Sequence, residues 1–239
     1  MTTTPVTFPI DQARVADAGR AHRALLAWQI ALALAAAVGI VLAQVWQLHL
    51  LTTILAGLLL VLAVVSVVLS VRRWRAVQSL VGDGRGIALA IDDHGIVLAG
   101  VPSVPWSEIL AVATVDDRAR TQRVSRIPLT GIFVRMAVRA GSSVLGACVV
   151  VRDGEAMRAA CSSDAERARI EVWKPHPSDG KPHGAIILLL DAVMSEGAAL
   201  EAGRALVAAA RARGIDAEPF VKQLEFMEFY GSRVDPKWH

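Results

Sequence analysis

From Ala24 to Val71 the chain carries no Asp, Glu, Lys or Arg, a run of 48 residues. One membrane crossing needs roughly 20 apolar residues. The run divides at Trp46-Gln47-Leu48-His49 into Leu25 to Val45, 21 residues, and Leu50 to Val71, 22 residues. As helices these reach about 31 and about 33 Å, close to the thickness of a bilayer's hydrocarbon core. Leu, Ile and Val fill 15 of the 22 positions in the second segment, so it inserts readily. The first is Ala-rich and depends on its partner. The short turn predicts an antiparallel hairpin over residues 24–71. A cleaved signal peptide fits poorly, because the apolar run exceeds an h-region of about 7–15 residues and no small-residue cleavage site precedes the second segment. Ala31, Ala35, Gly39 and Ala43 recur every four residues in the first segment; Ala56, Ala63 and Ser70 recur every seven in the second, with Ser66 beside them. Small side chains at such spacings let helices approach closely in lipid, although Ala-rich segments also produce them by chance.

Beyond residue 86 the pattern changes to short alternating runs. GIALAI (86–91) and GIVLA (95–99), joined by Asp92-Asp93-His94-Gly95, predict a β-hairpin. ILAVATVD (109–116) predicts a third strand. GIFVRMAVRA (131–140) alternates Ile132, Val134, Met136 and Val138 on one face with Phe133, Arg135 and Arg139 on the other. SVLGACVVV (143–151), ARIEVW (168–173) and HGAIILLLD (183–191) complete about seven strands. A helix follows, with Ser195 as N-cap, Glu196 in its first turn, an apolar stripe of Leu200, Gly203, Leu206, Val207 and Ala210, and Gly214 at its end. The strands are expected to form a small β-barrel or sandwich with this helix over one open end. The chain thus reads as an α+β membrane protein: an N-terminal tail (1–23), the hairpin (24–71), a basic juxtamembrane linker (72–85), a domain (86–214) and a tail (215–239). That last tail contains Phe220, Phe226, Phe229 and Tyr230, four of the six Phe and Tyr residues, in a pattern that permits a short helix packing on the domain, on the bilayer or on a partner.

Charge sets the orientation. Arg14, Arg20 and Arg23 precede the hairpin; Arg72, Arg73, Arg75 and Arg85 follow it; the turn has no Lys or Arg. The excess of positive charge places both termini in the cytoplasm, with Trp28 and Trp74 near the inner interface and Trp46 near the outer one. The reading is therefore a multi-pass protein of the cytoplasmic membrane. A formal net charge of +3 is too small to indicate nucleic acid. Two cysteines, Cys148 and Cys161, give neither a disulfide framework nor a paired metal motif.

A strand pair carrying Gly95-Ile96, then Val104-Pro105-Trp106-Ser107-Glu108-Ile109 leading into a third strand, then further strands and a closing helix, resembles the bacterial PH-like domains, many of which hang from a two-helix membrane hairpin. The likeness covers about Gly86 to Gly214, departs from the pattern between Ala119 and Thr130 and after Pro219, and implies a fold more than a function. Pro105 cannot donate to a strand ladder and belongs at a strand start or edge. Trp106 is expected inward as a core anchor, with ligand stacking as the alternative, and Glu108 toward solvent.

The candidate binding residues are arginines. Six lie between Asp117 and Val151 with no acid among them: Arg118, Arg120, Arg123, Arg126, Arg135 and Arg139. Arg118, Arg120, Arg123 and Arg126, with the juxtamembrane Arg72, Arg73 and Arg75, are the candidate contacts for anionic lipid headgroups or a protein partner; near a charged leaflet each contributes on the order of 1 kcal/mol. The alternative is an ordinary solvated loop plus topology-setting charge. His176 and His183 flank PHPSDGKPHG with Asp179 between them, but seven-residue spacing is not a recognised zinc pair, so the segment reads as a turn and no metal or cofactor is called. No Gly-x-Ser-x-Gly, phosphate loop or His-Glu-x-x-His occurs. GDGRG (82–86) precedes a strand rather than a helix and reads as a linker. Asp92-Asp93 and Asp116-Asp117 read as turn caps at strand ends. The sequence therefore points to a non-enzymatic adaptor or scaffold that binds lipid, a protein partner or a copy of itself. The alternative is an accessory subunit of a transport or envelope-assembly complex acting through its helices.

Overall fold

Strand β1 (Val6–Pro9) pairs antiparallel with β2 (Ile87–Ile91), Val6 opposite Ile91 and Phe8 opposite Leu89, and the charge-free stretch lies between them in sequence. The protein is seen in a computed structural model that describes residues 5–47, 50–81, 86–127, 134, 138 and 144–238. Helix α1 (Gln12–Val45) starts three residues after β1, and helix α2 (Leu50–Val81) ends six residues before β2. The hairpin is thus an insertion between two paired strands. Within the N-terminal segment, expected as a loose tail or a short interfacial helix, residues 6–9 form an edge strand and 12–23 the first turns of α1, and 72–81 of the expected linker is helical; 1–4 and 82–85 lie outside the described residues.

Both helices are long and apolar enough to cross a membrane. Their large apolar side chains face outward: Leu34, Val41, Leu51, Val61 and Leu62 are all more than half exposed. The inward residues recur every seven positions, and those buried within the apolar run are small. His22, Ala36 and Ala43 are buried along α1 with Gln29 half-buried; Ala63, Ser70 and Val77 are buried along α2 with Ala56 half-buried. The predicted four-residue stripe is corrected on α1, where Ala31 and Ala35 are exposed. Steps of four drift about 40° around a 3.6-residue helix, whereas steps of seven drift only about 20° the other way and keep facing the partner.

The first sheet has the order β1-β2-β3-β4, with β3 (Gly95–Leu98) and β4 (Val104–Pro105) completing an antiparallel meander. The predicted turn is an Asx turn: Asp92 Oδ1 accepts from the amides of His94 and Gly95, each at 2.8 Å. Gly95 is required because a Cβ there would lie 2.2 Å from the carbonyl oxygen of Val104. Trp106 is buried in the turn between β4 and β5 (Ile109–Asp116); its indole N–H donates to the Asp92 carbonyl at 2.8 Å, and the Arg213 guanidinium lies 4.4 Å from the ring centre. It anchors the core as expected. Glu108 is half-buried rather than fully in solvent.

The second sheet has the order β7-β8-β6-β5-β9, with β6 (Leu145–Val151), β7 (Ile170–Pro175), β8 (Pro182–Leu189) and β9 (Asp216–Phe220). Its pairs are antiparallel except β5 with β9. The two sheets stay open, so the barrel expectation is corrected. Three further helices matter here: α3 (Arg118–Ser125), α4 (Gly154–Ala159) and α5 (Glu196–Arg211). Ser195 caps α5 by accepting from the Ala198 amide, and Gly214, at φ +73°, ends it. Helix α5 connects β8 to β9 and covers a sheet face rather than an open end, because the connected strands run parallel and need a crossover. A last helix, α6 (Gln223–Val234), covers the opposite face.

Both faces are therefore buried, and period two sorts the residues between them. Val112, Ala147, Val149, Ile186 and Leu188 join the main core with the first sheet and α5. Ala111, Ala113, Val115, Cys148, Val150 and Ala185 face α6, whose Phe226 and Phe229 fill the space above them. Burying each Phe contributes about 1.5–3 kcal/mol. The aromatic tail thus packs on its own domain. The strand predicted over 131–140 lies outside the described residues except Val134 and Val138, and both of those are helical.

Candidate functional site

The hairpin joins the domain through a dense set of contacts. Asp11 caps α1 by accepting from the Arg14 amide at 3.0 Å, while its own amide donates to the Val193 carbonyl at 2.8 Å. The Arg14 side chain donates to the Asp191 carbonyl at 2.5 Å. The buried Asp191 carboxylate in turn accepts from the Val144 and Leu145 amides at 3.0 and 3.3 Å, tying the start of β6 to the same turn. Val77 of α2 is 1% exposed and belongs to the main core, with Val15, Trp74 and Val81 packed against it. The domain core therefore continues into the base of the hairpin.

Higher up, the helices are registered by polar and aromatic contacts. Gln29 donates to Ser66 Oγ at 2.7 Å. The rings of His22 and Trp74 stack, 5.0 Å apart and 13° from parallel. The Trp74 ring edge occupies the place of a side chain at Gly19, 2.9 Å from where a Cβ would be. Antiparallel register fixes the arginines. Six residues toward the base from Gln29 is Arg23, and six beyond Ser66 is Arg72; three more reach Arg20 and Arg75. The four lie in one belt, about 9–14 Å below the Gln29–Ser66 contact. Arg23, Arg72 and Arg75 are exposed and make no ion pair among the described residues; Arg20 pairs with Asp17, both largely exposed. Beside the belt a groove of about 580 Å³ opens between α1 and α2, lined by Gly19, Arg20, Arg23, Trp74 and Gln78 among others.

The candidate arginines thus divide. Arg72 and Arg75 join a belt whose other half, Arg20 and Arg23, the sequence reading took only as topology charge. The seven-residue seam on both helices was the signal that could have aligned them. Arg73 lies on α2, and its side chain is outside the described set. Arg120, Arg123 and Arg126 are exposed on or just after α3. Arg118 is committed internally: it donates to both Asp116 oxygens at 2.7 and 2.5 Å and to Glu196 at 2.5 Å, locking the start of α3 to the start of α5. Its guanidinium holds the Asp116 carboxyl below the usual carboxylate range.

Two other places gather chemistry. A cavity of about 490 Å³ between α5 and the ends of β5, β6 and β9 is lined by Leu145, Val207 and Phe220 with Arg118, Arg204 and Arg211. Arg211 Nε donates to the Ala217 carbonyl at 2.7 Å, so two of these three guanidiniums already bond within the domain. The loop between β7 and β8 brings His176, Asp179 and His183 together, with candidate ligand atoms within 4.8 Å of one another. The His183 ring bridges the Arg233 carbonyl (Nδ1, 2.8 Å) and the Asp179 carboxylate (Nε2, 3.0 Å), joining the loop to the end of α6. His176 stacks on it, 4.4 Å between ring centres and 12° from parallel. Nearly parallel stacked rings do not share an in-plane point, so one ion cannot sit on both imidazole lone pairs in this arrangement. Burial raises the Asp179 carboxyl pKa, but the Lys181 amide, His183 and Arg152 (3.5 Å) outweigh it and hold the group below the usual range. As arranged, the trio is a structural clasp. Burial pushes the Cys148 thiol far up, which removes it as a nucleophile.

Compared with protein-family models, curated proteins and solved structures, the chain matches none.

Proposed function

We propose that this chain is a multi-pass protein of the cytoplasmic membrane. Its hairpin crosses the bilayer twice, and its α+β domain is held against the inner surface as a non-enzymatic adaptor or scaffold for a protein partner or anionic lipid. The observation that carries this reading is the outward face of α1 and α2: large apolar side chains stand more than half exposed while small ones fill the seam. Water does not favour so large an apolar surface, whereas lipid does. Three supports are added. The arginine belt lies just outside the apolar run at one end of the hairpin, and the positive-inside rule puts that end in the cytoplasm. The base is built into the domain core, so the domain's pose on the membrane is rigid. Both cysteines are buried, and the histidine cluster is engaged in the fold.

The resemblance to PH-like domains rests on the joint of β4, Trp106 and β5. Parallel β9 and the second helix-covered face go beyond that pattern. The adaptor reading stands on the anchor and does not depend on the resemblance.

The test is a fusion reporter after residue 239 combined with carbonate extraction. A membrane-retained protein with a cytoplasmic C-terminus is the expected result. A protein released by carbonate, or a reporter active only outside the cytoplasm, would overturn the reading.

A further inference from the structure

We propose that the groove at the base of the hairpin is a discrete binding site for one anionic phospholipid of the inner leaflet. This rests on the membrane reading above and goes beyond a diffuse basic surface. The groove is about 580 Å³, within the roughly 300–1,000 Å³ of small-ligand sites. It exists because residue 19 is glycine: Trp74 reaches across to lie against that backbone and stacks on His22, leaving an open notch beside the rings.

Its chemistry is that of a phosphodiester with an acyl tail. Arg20 and Arg23 are three residues apart on one face of α1 and both line the groove. Guanidinium forks match phosphate oxygens in a way a single ammonium does not. Arg23 has no carboxylate partner among the described residues. The Asp17 pair of Arg20 is exposed, and exposed pairs are weak enough to yield to a phosphate. The Gln78 side chain adds amide donors for ester or headgroup oxygens. The Trp74 ring gives an amphipathic wall of the kind found at headgroup level.

Position selects lipid over a free phosphate. The belt falls one turn outside Leu25, where the apolar run begins, so the groove sits at headgroup depth. An acyl chain leaving it meets the outward apolar face at once, beginning with Ile30, which follows Arg23 by seven residues on the same side of α1 and is 45% exposed. On the domain side the notch is closed by Val15 and Val81, packed against the core. The site is therefore open toward the bilayer.

The test uses the full chain in nanodiscs of phosphatidylcholine with a minor fraction of phosphatidylglycerol, and native mass spectrometry counts the lipids retained on release. One phosphatidylglycerol per chain is expected to persist. Gly19→Leu, which pushes the Trp74 ring out of its place beside the groove and keeps every charge, and the exposed double variant Arg20→Ala/Arg23→Ala are each expected to reduce retention at least tenfold. The α3-region variant Arg120→Ala/Arg123→Ala/Arg126→Ala is expected to retain it as the parent does. Equal retention of both lipids by the parent, or unchanged retention by the double variant, overturns the site. Loss only when the α3-region arginines are removed places the lipid elsewhere and does the same. A chain that never enters the nanodisc overturns the membrane reading instead, so the two failures are distinguishable.

Discussion

Helices α1 and α2 are two molecules in one. From about Leu25 to Ser70 they expose Leu, Ile and Val and bury Ala and Ser. From Gln12 to Arg23 and beyond Val71 the logic reverses: Arg20, Arg23, Arg72 and Arg75 are exposed, and Val77 and Ala18 are buried at 1% and 6% exposure. The same backbone runs through both zones without a break, so what changes is which side chains face out. A helix whose apolar residues face outward over some 21 or 22 positions and inward beside the domain has the pattern that the proposed membrane anchor requires. The hydrogen bonds of Asp11, Arg14 and Asp191 tie the base of the inner zone to the domain.

The sharpest way to break this comparison is to place the same charge in each zone. Val77→Asp puts an unpaired carboxylate into the main core and is expected to destabilise the domain by about 3–5 kcal/mol, the range for an uncompensated buried charge. Loss of the cooperative thermal transition of the detergent-solubilised protein would be the readout. Val61→Asp, on a residue 59% exposed near the middle of α2, is expected to leave the domain's transition in place but to penalise insertion by about 2.5–3.5 kcal/mol. The readout is the fraction resisting carbonate extraction. If Val61→Asp left insertion unchanged, the outer zone would not be facing lipid. A smaller effect is expected at the joint. Asp191→Ala strands the Val144 and Leu145 amides and should cost about 1–3 kcal/mol, measured as a shift in denaturation midpoint with the membrane fraction unchanged.

The two zones also differ in how legible they are from sequence. The outer zone is nearly all readable, because a long apolar run free of charge follows one rule at every position, and the missing charge is its strongest marker. Even there the seam on α1 was misjudged: Ala31 and Ala35 look as small as Ala36 and Ala43, and only the seven-residue pairing with Ala63 and Ser70 tells them apart. In the domain, local signals held where local physics decides. The Asx turn at Asp92, the Ser195 cap, the Gly214 stop and the inward Trp106 all came from neighbouring residues. What escaped is what distance decides. β1 is only Val-Thr-Phe-Pro, too short to signal a strand alone, and exists because β2 lies beside it after the hairpin has folded back. β9, Asp216–Phe220, carries Asp, Glu and Pro and becomes a strand because α5 delivers it alongside β5. The barrel expectation failed for the same reason, since strand count does not reveal strand order. At the candidate site, Arg72 and Arg75 were visible as a run, but Arg20 and Arg23 join them only through the register of Gln29 with Ser66.

Acid offers the gentlest separation of the zones, because the outer zone contains no carboxylate and the domain contains a depressed one at Asp116. The side-chain bonds from Arg118 hold that carboxyl below its unfolded value, against a smaller opposing effect of burial. A depressed carboxyl contributes its stability at pH values above the unfolded value of about 3.9 and loses it as pH falls through the folded one. The domain's melting temperature is therefore expected to be flat near neutrality and to fall below about pH 4, with the hairpin's helical signal unaffected. Asp179 is depressed as well and acts in the same window, so the slope alone does not identify its source. Arg118→Ala separates them: it removes the partner of Asp116 and leaves the His183 clasp intact. The variant should melt lower than the parent at pH 7 and approach it at pH 3. A difference between parent and variant that stayed constant across this range would mean that Arg118 stabilises the joint of α3 and α5 by packing alone, with no contribution from the charge on Asp116.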